Sequence, residues 1–191
     1  MSADYIEIVD NFLSPEEWKQ SGISLTGDIW QYGWPRRSHL NEHPTWHVFI
    51  AGRNRPEEKS CLEELSSNDR WRFLIPVWQR IKEKYMPDAD LRGVYANGHT
   101  YGIESSIHRD SRKGEYTKTA LLFMHRIWPT TWGGETCFYS TTSEDLIKSV
   151  IPKPNRLVVF DGEIPHNVRS PSIGCELLRI SIAFKTHIRF K

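Results

Sequence analysis

The sequence predicts a mainly β fold with flanking helices, closed as a jelly roll, and three observations support this. From Leu91 onward, short apolar runs are punctuated by Gly, Pro, Asn and Asp, the pattern of an antiparallel core. Eight candidate strands fall in that stretch, and eight strands in two facing sheets make a jelly roll with a site between the sheets near one open end. The residues before Leu91 carry helix signals instead, so those helices are expected to pack against the sheet.

The elements follow in order. Tyr5 to Val9 reads as a strand. Ser14-Pro15-Glu16-Glu17 places a serine at an N-cap, a proline at the first helical position and a glutamate three residues past the cap, so a helix starts there. Gly22 to His43 carries Gly, Pro, Trp and Arg without periodicity and reads as loop or irregular strand, a candidate lid. A second helix is expected from Glu57 to Leu65, and a third from Pro76 to Tyr85, stopped by Met86-Pro87. The core strands are expected at Leu91 to Ala96, Ser105 to His108, Thr119 to His125, Glu135 to Tyr139, Ser149 to Ile151, Arg156 to Phe160, His166 to Arg169 and Leu177 to Thr186.

A chain of 191 residues suits one domain, with residues 1–90 a mixed helical and loop elaboration and 91–186 the β core. With 25 basic and 24 acidic side chains the net charge is +1, so neither nucleic acid nor an anionic membrane is an expected partner. The start, Met1-Ser2-Ala3-Asp4-Tyr5, has no basic segment followed by an apolar one, and no later run reaches membrane length. A soluble, intracellular, cytoplasmic protein is expected. Cys61, Cys137 and Cys175 are odd in number and far apart, which reads as reduced thiols.

Chemistry concentrates in a few residues. His108 and Asp110 stand at i and i+2, so on an extended strand they point the same way. His166, from a distant strand, completes a triangle of two imidazoles and one carboxylate, the set that leaves open positions on ferrous iron. In the last strand Ile180, Ile182 and Phe184 alternate with Arg179, Ser181 and Ala183. One face is apolar, and the other carries a cation beside a hydroxyl. If that second face points inward, Arg179 needs an anion, and a bound dicarboxylate would supply it. His39, His43, His47, His99, His125 and His187 show no such pattern and read as ordinary surface or core histidines.

The ordered set His108-x-Asp110, Trp132-Gly133-Gly134-Glu135-Thr136, Pro154-x-Arg156-Leu157-Val158-Val159-Phe160, His166 and Arg179-Ile180-Ser181 resembles the iron(II)/2-oxoglutarate-dependent dioxygenases, and within them the prolyl 4-hydroxylase-like branch. The resemblance covers about Leu91 to Thr186. It implies a double-stranded β-helix with Fe(II), 2-oxoglutarate as cosubstrate and O2, with ascorbate as a supportive reductant. It further implies that His108, Asp110 and His166 bind iron, that Arg179 grips the distal carboxylate of 2-oxoglutarate with help from Ser181, and that Tyr95 and Tyr101 lie at the cosubstrate pocket. Relatives often place a tyrosine on the strand after the His-x-Asp pair, where this chain offers only Phe123; Thr119 is the candidate substitute for that second carboxylate contact. The implied reaction hydroxylates an unactivated C–H bond while 2-oxoglutarate becomes succinate and CO2. A prolyl residue in a peptide or protein is the leading substrate, and a small amino acid or sugar derivative the alternative.

Trp128, Trp132 and Tyr139 are candidate substrate-facing aromatics, and Arg36, Arg37, Arg109 and Arg169 candidate contacts to an anionic substrate. Alternation should aim Arg109 away from the metal. A zinc hydrolase would use the same three ligands with a bound water but leaves Arg179 and Ser181 unexplained. A metal-free jelly-roll binding module is the non-enzyme alternative. Substrate identity and oligomeric state stay open.

Overall fold

Alternation along the central strands sorts side chains into two layers, and that sorting builds the molecule. The computed structural model describes residues 5–33, 44–52, 60–111, 115–143 and 145–188. Among these are β1 (Ile6–Val9), α1 (Pro15–Ser24), β2 (Gln31–Tyr32), β3 (Trp46–Ala51), α2 (Cys61–Ser66), α3 (Leu74–Tyr85), β4 (Ala89–His99), β5 (Lys118–Phe123), β6 (Thr136–Tyr139), β7 (Leu146–Val150), β8 (Leu157–Asp161), β9 (His166–Val168) and β10 (Arg179–Ile188). A seven-stranded sheet runs β1-β8-β5-β10-β4-β3-β2 and faces a three-stranded sheet β7-β6-β9, with antiparallel pairing throughout. This is the expected jelly roll with flanking helices.

One face of the large sheet is covered by the helices. Val94, Ala96, Ala120, Leu122, Leu157, Val159, Ile182 and Phe184 join Leu74, Val77, Trp78 and Ile81 of α3 in a single buried cluster. The α3 residues follow the i, i+3, i+4, i+7 spacing that sets an apolar stripe on one helix face. Trp78 stacks on Phe184 with ring centroids 6.2 Å apart. The opposite face contributes Leu121, Phe123, Val158, Phe160 and Ala183, which meet Phe138 and Val150 of the small sheet in a second, inter-sheet cluster.

Helix starts obey local chemistry. At α1 the Ser14 hydroxyl accepts from Glu17 N–H while the Glu17 carboxylate accepts from Ser14 N–H, as the capping box requires. The α2 helix is capped in the same way by Ser60 and Glu63 rather than beginning at Glu57; residues 57–59 lie outside the described set. The α3 helix opens at Leu74, two residues before the expected Pro76, which its first turn tolerates because N–H groups there have no intrahelical acceptor.

Several expectations need correction. Besides the expected β1, the large sheet recruits β2 and β3 from the first half of the chain, which were not expected as strands. Within Gly22 to His43, Gly22 to Ser24 finish α1 and Gln31–Tyr32 form β2, while residues 34–43 of the candidate lid lie outside the described set. Ser105 to His108 is not a strand: it touches β9 through one isolated bridge between His108 and His166 and one bond from Ser105 N–H to the Val168 carbonyl. The last strand starts at Arg179, not Leu177. All three cysteines are free thiols, and burial pushes Cys61 up to about 12. No described helix is long and apolar enough to cross a membrane.

Candidate active site

The three proposed ligands come together at one end of the inter-sheet space. His108 and His166 exchange both backbone hydrogen bonds, at 3.0 and 2.9 Å, which sets their rings 4.5 Å apart. Backbone N–H groups of Asp110 and Ser111 donate to the Gly162 carbonyl, fastening the His-x-Asp segment to the turn between β8 and β9. One donor atom each from His108, Asp110 and His166 then lies within 4.8 Å of the others. His166 and Asp110 are nearly enclosed, with side chains 5% and 9% exposed, and His108 stands at the mouth with 29%.

Outer contacts aim the donors. Nδ1 of His108 lies 2.9 Å from the Ser106 carbonyl, and Nδ1 of His166 lies 2.8 Å from the Ile164 carbonyl. A carbonyl only accepts, so each ring carries its proton on Nδ1 and leaves the Nε2 lone pair facing Asp110. Those Nε2 atoms are 3.9 Å from Oδ1 and 3.6 Å from Oδ2 of Asp110 respectively. Thr119 Oγ1 donates to Asp110 Oδ2 at 2.6 Å, and Lys185 Nζ donates to the same oxygen. Burial alone would raise the Asp110 carboxyl, but the Lys185 ammonium, His166 and these hydrogen bonds outweigh it and hold the group well below the usual carboxylate range. Burial brings His166 down to about 4, so it is a neutral donor at physiological pH. Two neutral nitrogens and one anionic oxygen fit a ferrous ion.

A second focus lies further along β10. Its residues Arg179, Ser181, Ala183 and Lys185 share the inter-sheet face, and the Arg179 guanidinium reaches the opposite sheet. Its Nε donates to the Gly134 carbonyl at 2.5 Å and Nη2 to Thr136 Oγ1 at 2.9 Å, while its charge lies 5.1 Å from the Phe123 ring centroid. The side chain is fully buried, its Nη1 has no hydrogen-bond partner, and no carboxylate among the described residues pairs with it. Burial pushes it down to about 9, with Glu135 and Cys137 offsetting part of that. Such a buried cation with an unused donor is a receptor for an anion. Gly134 stands at φ +73, and a Cβ there would come within 3.2 Å of Arg179 Cδ and of Trp128 Cζ2, so glycine lets the guanidinium lie against the strand.

The remaining candidates divide. Ser181 is buried on the face shared with Arg179. Tyr95 is half-buried at the inter-sheet cluster, and its hydroxyl hydrogen-bonds Lys185. Tyr101 stands 60% exposed in the turn after β4 and is not part of the buried pocket. Thr119 stands across from Lys185, six residues along β10 from Arg179, or roughly 20 Å at strand rise, and its hydroxyl is given to Asp110. Trp128 is buried and donates its indole N–H to the Gly133 carbonyl, which supports the Gly133-Gly134 turn. Trp132 packs edge-on against it. At the rim Tyr139 donates to Asn167 and Arg169 pairs with Glu104, while Arg109 turns outward to the Glu163 carbonyl. Arg36 and Arg37 lie outside the described residues.

Three functional positions escaped the sequence reading. Lys185 was legible, since it continues the i, i+2 series from Arg179 on the inward face. His99 and His125, which carry no distinguishing pattern in the sequence, both adjoin Arg179. His125 accepts from Ile180 N–H at Nδ1 and donates from Nε2 to the Pro152 carbonyl, which fixes it as neutral. Burial first, and then the Arg179 charge, lower His99 and His125 to about 3. In the unfolded chain both would titrate near 6.5, so below that pH the unfolded state binds protons that the folded state refuses. Stability is therefore full above pH ~6.5 and is lost as pH falls toward ~3. Urea denaturation should give a lower unfolding free energy at pH 5 than at pH 7.5, with a shallower dependence in His125→Gln; a flat profile in the parent protein would contradict this.

A jelly roll holding two histidines and a carboxylate at the mouth, with a buried guanidinium deeper inside, defines a mononuclear metal-dependent oxygenase. The sequence model described as the 2OG-Fe(II) oxygenase superfamily matches residues 94–187, and the chain belongs to that superfamily. Fe(II), 2-oxoglutarate and O2 are accordingly its cofactors. Among solved structures, a prolyl hydroxylase from Trichoplax adhaerens in complex with a hypoxia inducible factor oxygen degradation domain peptide fragment is 17% identical, with TM-score 0.64 over 96% of this chain and 83% of its own. A Pseudomonas putida prolyl-4-hydroxylase is 16% identical, with TM-score 0.63 over 99% and 95%. The non-heme alpha ketoglutarate dependent epimerase SnoN from nogalamycin biosynthesis is 12% identical, with TM-score 0.65 over 97% and 78%. These likenesses establish the shared fold. No curated protein matches the chain.

Proposed function

We propose that this chain is a prolyl 4-hydroxylase-like dioxygenase that hydroxylates a prolyl residue in a peptide or protein, coupled to conversion of 2-oxoglutarate to succinate and CO2. The observation that carries the reading is the unused, fully buried Nη1 of Arg179 on the same inter-sheet face as Lys185 and its partner Asp110. Prolyl hydroxylases among the structural neighbours favour that substrate class.

His108 Nε2, His166 Nε2 and one oxygen of Asp110 would hold iron. With the cosubstrate and O2 it supplies the oxidative decarboxylation and the C–H hydroxylation. The chain's own residues do the rest. The Ser106 and Ile164 carbonyls lock both imidazoles in the donor tautomer. Thr119 and Lys185 occupy Oδ2 of Asp110, which leaves Oδ1 free to ligate. Arg179, assisted by Ser181, would bind the distal carboxylate, and Leu121, Phe123, Phe138 and Phe160 keep water from the space between. Trp132, Tyr139 and Arg169 flank the opening as substrate contacts. We further read residues 1–191 as one domain, and the three free thiols suit a reducing, cytoplasmic setting.

Mass spectrometry of a panel of proline-containing peptides, free amino acids and sugars tests the proposal. A peptide that gains one oxygen atom, dependent on both Fe(II) and 2-oxoglutarate, is the expected result. Oxygen gain confined to a small molecule, the class to which SnoN draws attention, would overturn the prolyl assignment.

A further inference from the structure

His99 on β4 is the direct cross-strand partner of Arg179 on β10. Such partners project from the same face of a sheet with Cβ atoms roughly 5 Å apart, so His99 faces the inter-sheet space beside the guanidinium. It is 4% exposed, and its Nδ1 is buried without a hydrogen-bond partner, as is Arg179 Nη1. Two neighbouring buried nitrogens therefore lack a hydrogen-bond partner among the described residues.

Apart from the Ser181 hydroxyl on the same strand face and the Thr136 hydroxyl that already accepts from Arg179, the side chains around Arg179 offer no further donor. Phe123 has no polar atom, both nitrogens of His125 are engaged, and Thr119 and the Tyr95 hydroxyl belong to the Asp110–Lys185 cluster. A group that accepts from a guanidinium and an imidazole N–H together needs two lone-pair-bearing atoms and negative charge, which a carboxylate provides.

We propose that His99, as its Nδ1–H tautomer, is a further donor that grips the distal carboxylate of 2-oxoglutarate together with Arg179 and Ser181. This rests on the reading of Arg179 as the cosubstrate anchor. It assigns to β4 the contact that Phe123 cannot make from β5.

Titration calorimetry of 2-oxoglutarate into the Mn(II)-loaded protein tests the assignment without turnover. His99→Phe keeps a ring of similar size but no donor, and should weaken cosubstrate binding by about tenfold or more. His99→Asn places an amide nitrogen near the Nδ1 position and should restore most of the affinity. Mn(II) binding without cosubstrate should be unchanged in both. Wild-type affinity in His99→Phe, together with a loss in Arg179→Met, overturns the role of His99 and spares that of Arg179. Wild-type affinity in both variants overturns both. Should His99→Phe not fold, the 15N-histidine-labelled Zn(II)-loaded protein decides: 2-oxoglutarate should shift an Nδ1–H signal that is missing in His99→Asn, and no such shift overturns the proposal.

Discussion

Replacing Asp110 by alanine is expected to bring succinate formation below detection and to weaken Mn(II) binding by more than the 10–100-fold that loss of an outer hydrogen-bond partner costs a metal site. The carboxylate is the only anionic donor in the triad, so its removal leaves two neutral imidazoles for a divalent cation. A second consequence follows from Lys185. Its ammonium is held by Asp110 and Tyr95 against the cost of burial, and the alanine variant strips away the counter-charge. The metal-free variant should therefore also melt below the metal-free parent. Calorimetric Mn(II) titration and thermal melts of the two proteins check the two effects separately, and retained succinate production would remove Asp110 from the metal assignment.

Arg179→Met should separate function from stability. The guanidinium is fully buried with no paired acid among the described residues, and its environment disfavours the charge. Removing a charge-assisted contact to the cosubstrate should raise the 2-oxoglutarate requirement on the order of 100-fold. The cosubstrate-free variant should nevertheless melt no lower than the parent, because a methionine of similar length fills the space without the desolvation cost of an ion. Saturating 2-oxoglutarate should raise the melting temperature of the parent by mass action and leave that of the variant nearly unmoved. A normal 2-oxoglutarate response in the variant would place the anchor elsewhere.

The clearest parts of the fold in the sequence were those whose information is local. The Ser14 and Glu17 capping box specifies the start of α1 within four residues, and the alternation Arg179 to Phe184 specifies which side of β10 is apolar. The same capping signature at Ser60 and Glu63 specifies the start of α2 at Cys61, later than the expected Glu57. Trp46–Ala51 was missed because Val48, Ile50 and Ala51 are all buried, and a strand covered on both faces loses the period-two rhythm that marks it. Ser105 to His108 misled in the other direction, since it holds His108 in an extended segment that pairs with β9 at only two points.

The sequence by itself determined the donor types, their order along the chain and the face of β10 that carries the cation, because each depends on residue chemistry or on the two-residue period of a strand. Only the tertiary structure decided what those groups meet. It tied Thr119 to Asp110, gave Asp110 a lysine partner, left Tyr101 on the surface, and set His99 across from Arg179. Those outcomes depend on strand register, which is fixed by pairings between residues as distant in sequence as 99 and 179 and so is absent from any local pattern.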